Sequence, residues 1–205
     1  MVRLVLDTSF NYLHIYLMDA NHHVIDGLSN WCPKRQSESI MPLLDELCRK
    51  NKIEPSDIGE VVVADGPGSY TGLRIALAIA KVLAIEPNVK VATICSLDLV
   101  FGCNGDGYAI MDARSKRVYM AHYTNNRLDQ LTIIELEEFK QLVSEDTIVY
   151  GQASLIGRDD KYANLAECLP MMEQRLSWVQ DPFQLKPRYL KENDAYDPHK
   201  KSESI

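Results

Sequence analysis

Glycine and proline dominate a nine-residue segment, GPGSYTGLR, that separates a buried apolar run from an apolar helix pattern. Glycines at a strand-to-helix turn allow backbone amides to approach an anion at the helix N-terminus. The spacing nevertheless departs from a P-loop, a dinucleotide fingerprint and a GxSxG nucleophile elbow. Two interpretations remain, a tight turn whose glycines allow close packing or an anion-facing loop. The residues concerned are Gly66, Pro67, Gly68, Ser69, Thr71, Gly72 and Arg74.

Aspartates follow the first apolar run of each half of the chain. Asp7 begins the triplet Asp7-Thr8-Ser9, which resembles the strand-turn that holds a metal-bound phosphate in actin-like ATPases. A turn-forming aspartate is the simpler interpretation, because its side chain readily bonds nearby backbone amides. In the second half Asp112 precedes Arg114, so an ion pair within the chain is the simpler interpretation there.

Histidine and cysteine spacing indicates no metal site. The five histidines form no HxxxH or HExxH pair, and the five cysteines form no CxxC pair. We therefore predict no metal ligand set, and no catalytic residue is assigned because no spacing proposes a Cys/His or Ser/His site. The missing P-loop, the missing metal pair and the short second half together predict that no cofactor is bound by this chain alone. An odd, scattered set of cysteines is typical of reduced thiols, which favours a cytoplasmic protein.

The order of strand and helix patterns occurs twice. In the first half we predict strands at Val2–Leu6, Tyr12–Met18, Val24–Trp31, Glu60–Asp65 and Val89–Ile94, with helices at Ile40–Lys50 and from the glycine segment to about Ile85. In the second half we predict strands at Gly107–Met111, Val118–Tyr123, Gln130–Glu135 and Thr147–Tyr150, with helices at Leu136–Val143 and Tyr162–Val179. Pro42 is tolerated if it lies in the first turn of its helix. The pattern predicts an α/β fold of duplicated βββαβα order with a shortened second lobe: lobes at 1–104 and 105–190, and a loose tail at 191–205.

Composition sets limits on the partners. Of 205 residues, 46% are hydrophobic, 22 are basic and 29 are acidic, which gives a net charge of −7. Such a chain has no basic face for gripping a phosphate backbone unaided. The longest apolar stretch, about residues 73–85, is shorter than the ~20 residues that a membrane span needs. We expect a soluble protein that meets nucleic acid only through a partner.

The helix after the glycine segment is apolar on nearly all sides, and such a helix must be buried on nearly all sides. Either neighbouring elements cover it, or a partner protein does. We predict that its alanine ridge and the preceding helix form a partner interface. The predicted interface residues are Ile40, Leu43, Leu44, Leu47, Leu73, Ala76, Leu77, Ala80 and Ala84.

Four segments together resemble the TsaB (YeaZ) family: LVLDTS, GPGSYTGLRIALAIAKVLA, MDARSKRVYMAHY and KPRYLKEN. The family is similar to the two-lobed, actin-like ATPase (ribonuclease H-like) fold. Two features depart from its pattern. Gln36 stands where relatives often carry a histidine, and Gly151-Gln152-Ala153-Ser154 lacks the paired glycines of a nucleotide-binding lobe.

The resemblance implies a non-catalytic subunit of the machinery that makes threonylcarbamoyladenosine in tRNA. It implies pairing with the TsaD subunit, which holds the metal and the transfer site, and with the TsaE ATPase. Homodimers also occur in the family, and tRNA would be met only through the complex. Two alternatives stay open: a small actin-like phosphotransferase or ATPase that uses Asp7 and the glycine segment, and a glycoprotease-type peptidase.

Overall fold

Two β-sheets organise the chain into two units. The computed structural model describes residues 1–190, and the predicted tail at 191–205 lies outside the described residues. The first unit comprises Met1–Ser96 with Asn164–Tyr189, and the second begins at Leu97 and runs to Ala163. In chain order the strands and helices are β1 Val2–Asp7, β2 Tyr12–Met18, β3 Val24–Trp31, α1 Gln36–Asn51, β4 Ile58–Gly66, α2 Tyr70–Leu83, β5 Lys90–Cys95, α3 Ser96–Phe101, β6 Gly107–Arg114, β7 Arg117–Thr124, β8 Arg127–Glu135, α4 Leu136–Leu142, β9 Val149–Gly151, α5 Leu165–Cys168 and β10 Ser177–Trp178.

The two sheets share one strand order. The first sheet runs β10-β5-β4-β1-β2-β3, and the second runs β8-β7-β6-β9. In each, three antiparallel strands come first in the chain and a helix leads to a strand parallel to the first of them. This confirms the duplicated α/β order and the shortened second half, which has no counterpart of β5 among the described strands.

Strand β4 explains why the first unit needs cover on both faces of its sheet. Val61, Val62 and Val63 are all nearly inaccessible to solvent, as expected for a parallel strand buried on both sides. Val61 and Val63 pack with α1 and α2, whereas Val62 lies among Leu169, Met172 and other side chains on the opposite face. The segment 164–189 therefore returns to the first unit to cover that second face.

This return corrects two predictions. Tyr162–Val179 is not one long helix, because α5 ends at Cys168 before Pro170, and short 3-10 turns follow. Nor do residues 164–189 belong to the second unit, since Leu165, Cys168, Leu169 and Met172 are buried in the first unit. The first boundary also moves, from residue 104 to Ser96.

Helix α1 begins earlier than predicted. It starts at Gln36, so Pro42 lies inside the helix rather than in its first turn. The side-chain amide of Gln36 donates to the carbonyl oxygen of Phe10 at 2.5 Å. This contact ties the start of α1 to the turn between β1 and β2, four residues ahead of the first apolar position that periodicity could identify.

Candidate functional site

The glycine loop, residues 66–72, is tied to the turn that follows β1. The amide of Ser69 donates to the carbonyl oxygen of Ser9 at 2.7 Å. The hydroxyl of Thr8 donates to the carbonyl oxygen of Gly72 at 2.6 Å. Ser69 is also the N-cap of α2, since its hydroxyl oxygen accepts from the amide of Gly72 at 3.3 Å. The two sequence motifs therefore form one site.

Glycine is required at positions 68 and 72 by close approach of the backbone. A Cβ atom on Gly68 would lie 2.5 Å from the carbonyl oxygen of Ser9, and one on Gly72 would overlap the carbonyl oxygen of Thr8. Neither of these glycines has a positive φ, whereas Gly66 does, at 130°. The Gly66–Pro67 peptide bond is cis. The loop thus brings α2 directly against the turn after β1.

Residues 186–189 form a strap over the start of the loop. The backbone amide of Arg188 donates to the carbonyl oxygen of Asp65 at 2.7 Å, and its guanidinium donates to the Asp65 carboxylate at 2.9 Å. Burial raises the pKa of the Asp65 carboxyl, and the nearby Arg188 guanidinium partly offsets this rise. A Cβ on Gly66 would lie 2.5 Å from the carbonyl oxygen of Arg188. The strap therefore fills the space above the end of β4.

Exposed aromatic rings join the strap to α2. Tyr70 and Tyr189 stack with ring centroids 5.7 Å apart, and the guanidinium of Arg74 lies 4.2 Å from the centroid of Tyr70. Arg74, which the sequence analysis placed in the loop motif, thus points to the surface and stacks on a tyrosine. Neither Asp65 nor Arg188 was identified as a site residue from the sequence, although Arg188 lies in the quoted KPRYLKEN segment.

The two turn aspartates make the same local hydrogen bond in different surroundings. Asp7 accepts from the amide of Ser9 and Asp112 accepts from the amide of Arg114, both at 2.7 Å. Asp7 is buried, and burial raises its pKa to about 6 against the effect of the Ser9 hydrogen bonds. Asp112 is exposed. The contact of Asp112 with Arg114 is to the backbone amide in a left-handed turn, so it differs from the ion pair that the sequence suggested.

The hydrogen bonds of the loop limit what it offers to a ligand. The amides of Ser69, Gly72 and Leu73 all donate to oxygens of the chain itself. An anion at a helix N-terminus accepts hydrogen bonds from such backbone amides, and these three already have acceptors within the chain. These contacts favour the tight-turn interpretation, and anion binding stays a prediction.

One serine–histidine contact lies on the sheet, away from the loop. Ser29 Oγ is 2.8 Å from His14 Nδ1 and 2.7 Å from the hydroxyl of Tyr16. Burial lowers the pKa of His14 to about 4, which makes its imidazole a weak proton acceptor at neutral pH. Among residues 1–190, no three His, Cys, Asp or Glu side chains converge as a metal ligand set would.

The predicted interface on α2 faces inward, which corrects the sequence analysis. Leu73, Ala76, Leu77, Ala80 and Ala84 are all buried, and the last four pack in the core beneath α2. On α1, Ile40, Leu44 and Leu47 are buried in the same core, and Leu43 is half-buried. The small alanines let α2 lie close to its own sheet rather than to a second protein.

A different face of α2 is open to solvent. Arg74, Ala78 and Val82 are exposed at intervals of four residues, and Val82 keeps 64% of its surface accessible. Ile75 and Ile79 flank them and are half-buried. We call Arg74, Ala78 and Val82 the outer stripe. Arg74 is the residue from which the sequence could have identified this exposed face, because a charged side chain on an otherwise apolar helix normally faces solvent.

Comparison with known proteins is consistent with this fold. A profile of the family described as "TsaD: tRNA N6-adenosine threonylcarbamoyltransferase" matches residues 30–153. TsaB of Bacillus subtilis is 34% identical over 138 residues, which span 64% of this chain and 59% of that protein. An uncharacterized protein of Mycobacterium bovis is 41% identical over 152 residues, which span 68% of this chain and 67% of that protein. YeaZ from Pseudomonas aeruginosa superposes with a TM-score of 0.70 at 19% identity, over 92% of this chain and all of that one.

The repeated strand order and the strand-turn beside the glycine loop define a two-lobed α/β protein of the actin-like class. Within that class, the chain belongs to the family of threonylcarbamoyladenosine biosynthesis proteins, on its TsaB (YeaZ) branch. No helix among residues 1–190 is both long and apolar enough to cross a membrane.

Proposed function

We propose that this chain is a subunit without catalysis of its own, which pairs with a TsaD-type subunit and supports threonylcarbamoyl transfer to the adenosine next to the anticodon of tRNA. Relatives named as tRNA threonylcarbamoyladenosine biosynthesis proteins support this role. The TsaD-type subunit supplies the metal and a TsaE-type ATPase supplies ATP chemistry. The acidic chain meets tRNA only through that complex, in the cytoplasm.

The outer stripe of α2 is the observation that supports pairing with a TsaD-type subunit. An exposed valine and alanine in line on one helix, flanked by half-buried isoleucines, form an apolar surface suited to another protein. On α1, Met41 is also an exposed apolar side chain, at 55%. A standard interface takes about 800 Å² from each partner, which two helices can supply.

The internal hydrogen bonds of the glycine loop support the non-catalytic role. Three amides at the N-terminus of α2 bond to Ser9 and Ser69, so the loop is engaged as structure. The strap adds Arg188 above the end of β4, where many α/β proteins bind ligands. The actin-like phosphotransferase would need that same edge of the sheet for a nucleotide.

Co-purification with the TsaD-type subunit of the same organism tests the pairing. The Ala78→Glu variant should bind it roughly 30-fold more weakly, because the new carboxylate loses its water with no partner to compensate. Ala166→Glu is the matched control, since Ala166 is an exposed helical alanine outside the stripe. Normal pairing by a folded Ala78→Glu variant would place the interface elsewhere, and no pairing by the unaltered chain would overturn the proposal.

Two further measurements separate the alternatives. Calorimetry with ATP and the isolated chain should give no micromolar binding, and the chain alone should not transfer threonylcarbamoyl to tRNA. Tight ATP binding would favour the phosphotransferase. Sedimentation of the isolated chain decides whether it also forms a homodimer through the same stripe.

A further inference from the structure

An open groove lies at the end of α2, away from the glycine loop. Its volume is about 880 Å³, and it lies between the last turn of α2, the turn before β4 and the loop before β5. Three apolar side chains at the groove are largely accessible: Met1 at 68%, Val82 at 64% and Ile85 at 66%. Exposed apolar side chains gathered at one concave surface are typical of a docking site.

Carboxylates surround this apolar surface. Glu54, Asp57 and Glu86 line the groove, and among the described residues that line it there is no lysine, arginine or histidine. A capping box holds the first two in place, in which Asp57 accepts from the amide of Glu54 at 2.9 Å and Glu54 accepts from that of Asp57. The groove therefore presents an apolar floor with an acidic rim, and two of the three carboxylates of that rim are held in place.

We propose that this groove binds a basic amphipathic helix of a partner protein. Apolar side chains on one face of the helix would pack on Val82 and Ile85, and its lysines or arginines would lie against the carboxylates. A volume of about 880 Å³ suits one or two turns of such a helix. The carboxylates of the rim favour a basic partner helix over an acidic one.

The same rim argues against two other occupants. A second copy of this chain, docked groove to groove, would bring three carboxylates of each copy together, and like charges in an interface cost binding energy. An anionic membrane surface attracts basic segments rather than acidic ones. The groove shares Val82 with the outer stripe, whereas Ile85 and Glu86 lie beyond the stripe. Variants at these two positions therefore test the groove separately from pairing through Ala78.

Two labelled peptides test the chemistry of the occupant. One is a capped helical peptide of about 14 residues, roughly 20 Å long, with leucines on one face and lysines on the other. Its counterpart carries glutamates in place of the lysines. Fluorescence anisotropy should give a Kd on the order of 10–100 µM for the lysine peptide, weakening with salt, and no binding of the glutamate peptide.

Four variants locate the binding. Ile85→Ser, which removes apolar surface without changing the charge, should weaken the lysine peptide about tenfold, whereas Ile148→Ser, at an isoleucine exposed to 48% in the second unit, should leave it unchanged. Glu86→Lys should weaken the lysine peptide about fivefold and improve the glutamate peptide. Glu145→Lys, the same change at an exposed glutamate outside the groove, is its control.

Three results would overturn the proposal. These are equal binding of the two peptides, no saturable binding of the lysine peptide below about 1 mM, and binding that Ile85→Ser leaves unchanged. Self-association of the chain that Ile85→Ser weakens would assign the groove to a second copy instead. Since the TsaD-type subunit is absent from these assays, their failure is distinguishable from failure of the proposed function.

Discussion

Replacing Gly72 by alanine should destabilise the chain, because the Cα of Gly72 lies against the backbone that follows β1. The added Cβ would overlap the carbonyl oxygen of Thr8, and backbone on both sides leaves no flexible side chain to move away. Relief requires the N-terminus of α2 to shift away from the turn. That shift would break the hydrogen bond from Thr8 Oγ1 to the Gly72 carbonyl and the one from the Ser69 amide to Ser9.

These contacts set the size of the effect. Each lost hydrogen bond costs about 1 kcal/mol, and forced overpacking costs about 1–3 kcal/mol. The higher helix propensity of alanine returns up to about 1 kcal/mol. The net loss should therefore be about 2–4 kcal/mol in the free energy of unfolding. For a chain of this length it corresponds to a Tm lower by roughly 10 °C.

Urea denaturation of the purified chain measures this loss, with Gly59→Ala as the matched control. Gly59 lies in β4, and a Cβ there would meet only the flexible side chain of Met1. The control should change stability by less than about 1 kcal/mol. If Gly72→Ala is no more destabilising than Gly59→Ala, the close approach is not what requires glycine, and a ligand-facing loop regains support.

Two further predictions follow from buried charges. Burial raises the pKa of Asp7 from 3.8 to about 6 and lowers that of His14 from 6.5 to about 4. As the pH falls from 7 to 4, Asp7 therefore stabilises the fold and His14 destabilises it, each by roughly 2–3 kcal/mol. Asp7→Asn should lose about that much more stability than the unaltered chain over this range by urea denaturation, and equal losses would contradict the burial argument. Arg188→Gln should cost about 3 kcal/mol by leaving the Asp65 carboxylate buried without its cation, and Asp65→Asn should recover much of it; purely additive losses would show that the two are not coupled.

Local sequence patterns predicted the parts of the fold whose determinants are local. The valines at 61–63 indicated a doubly covered strand, and the glycines of 66–72 indicated a strand-to-helix turn at the position where the structure has one. Only the phosphotransferase alternative brought Asp7 and the glycine segment to one site, and the backbone contact between the glycine loop and Asp7-Thr8-Ser9 was not predicted. It joins residues about sixty positions apart, and nothing in either motif specifies the other.

Helix α2 shows why the predicted interface faced the wrong way. Nearly every position of the helix is apolar, so periodicity alone cannot separate the face on the sheet from the face in solvent. Ala80 and Ala78 differ in burial but not in residue type. Arg74 was the available signal, since positions four and eight residues beyond it are the exposed ones.

Arg3 shows a second limit of prediction from the sequence. A charged residue in a buried strand must be paired, but the sequence does not say which residues pair with it. Its guanidinium pairs with Glu60 at 2.7 Å on the neighbouring strand and with Glu173 at 2.5 Å, 170 residues away. Glu173 lies in the segment that was predicted as the last helix of the second lobe. This buried ion pair fixes the place where the segment containing Glu173 packs against the first sheet. From the sequence, an arginine within an apolar strand indicates that carboxylates from elsewhere in the chain must pair with it.

Comparison of the two turn aspartates shows which features belong to the repeated fold and which are found only beside the glycine loop. Asp7 ends β1, and Asp112 lies two residues before the end of the equivalent strand β6. Each accepts a hydrogen bond from the amide two positions later, so that bond belongs to the repeated fold. Only Asp7 is also buried beside a glycine loop, and that loop directs its amides to Ser9 and Ser69. In the first copy this edge of the sheet is therefore engaged in contacts within the chain, which supports the two proposals that place its partner surfaces on the outer stripe of α2 and in the acidic groove at the end of α2.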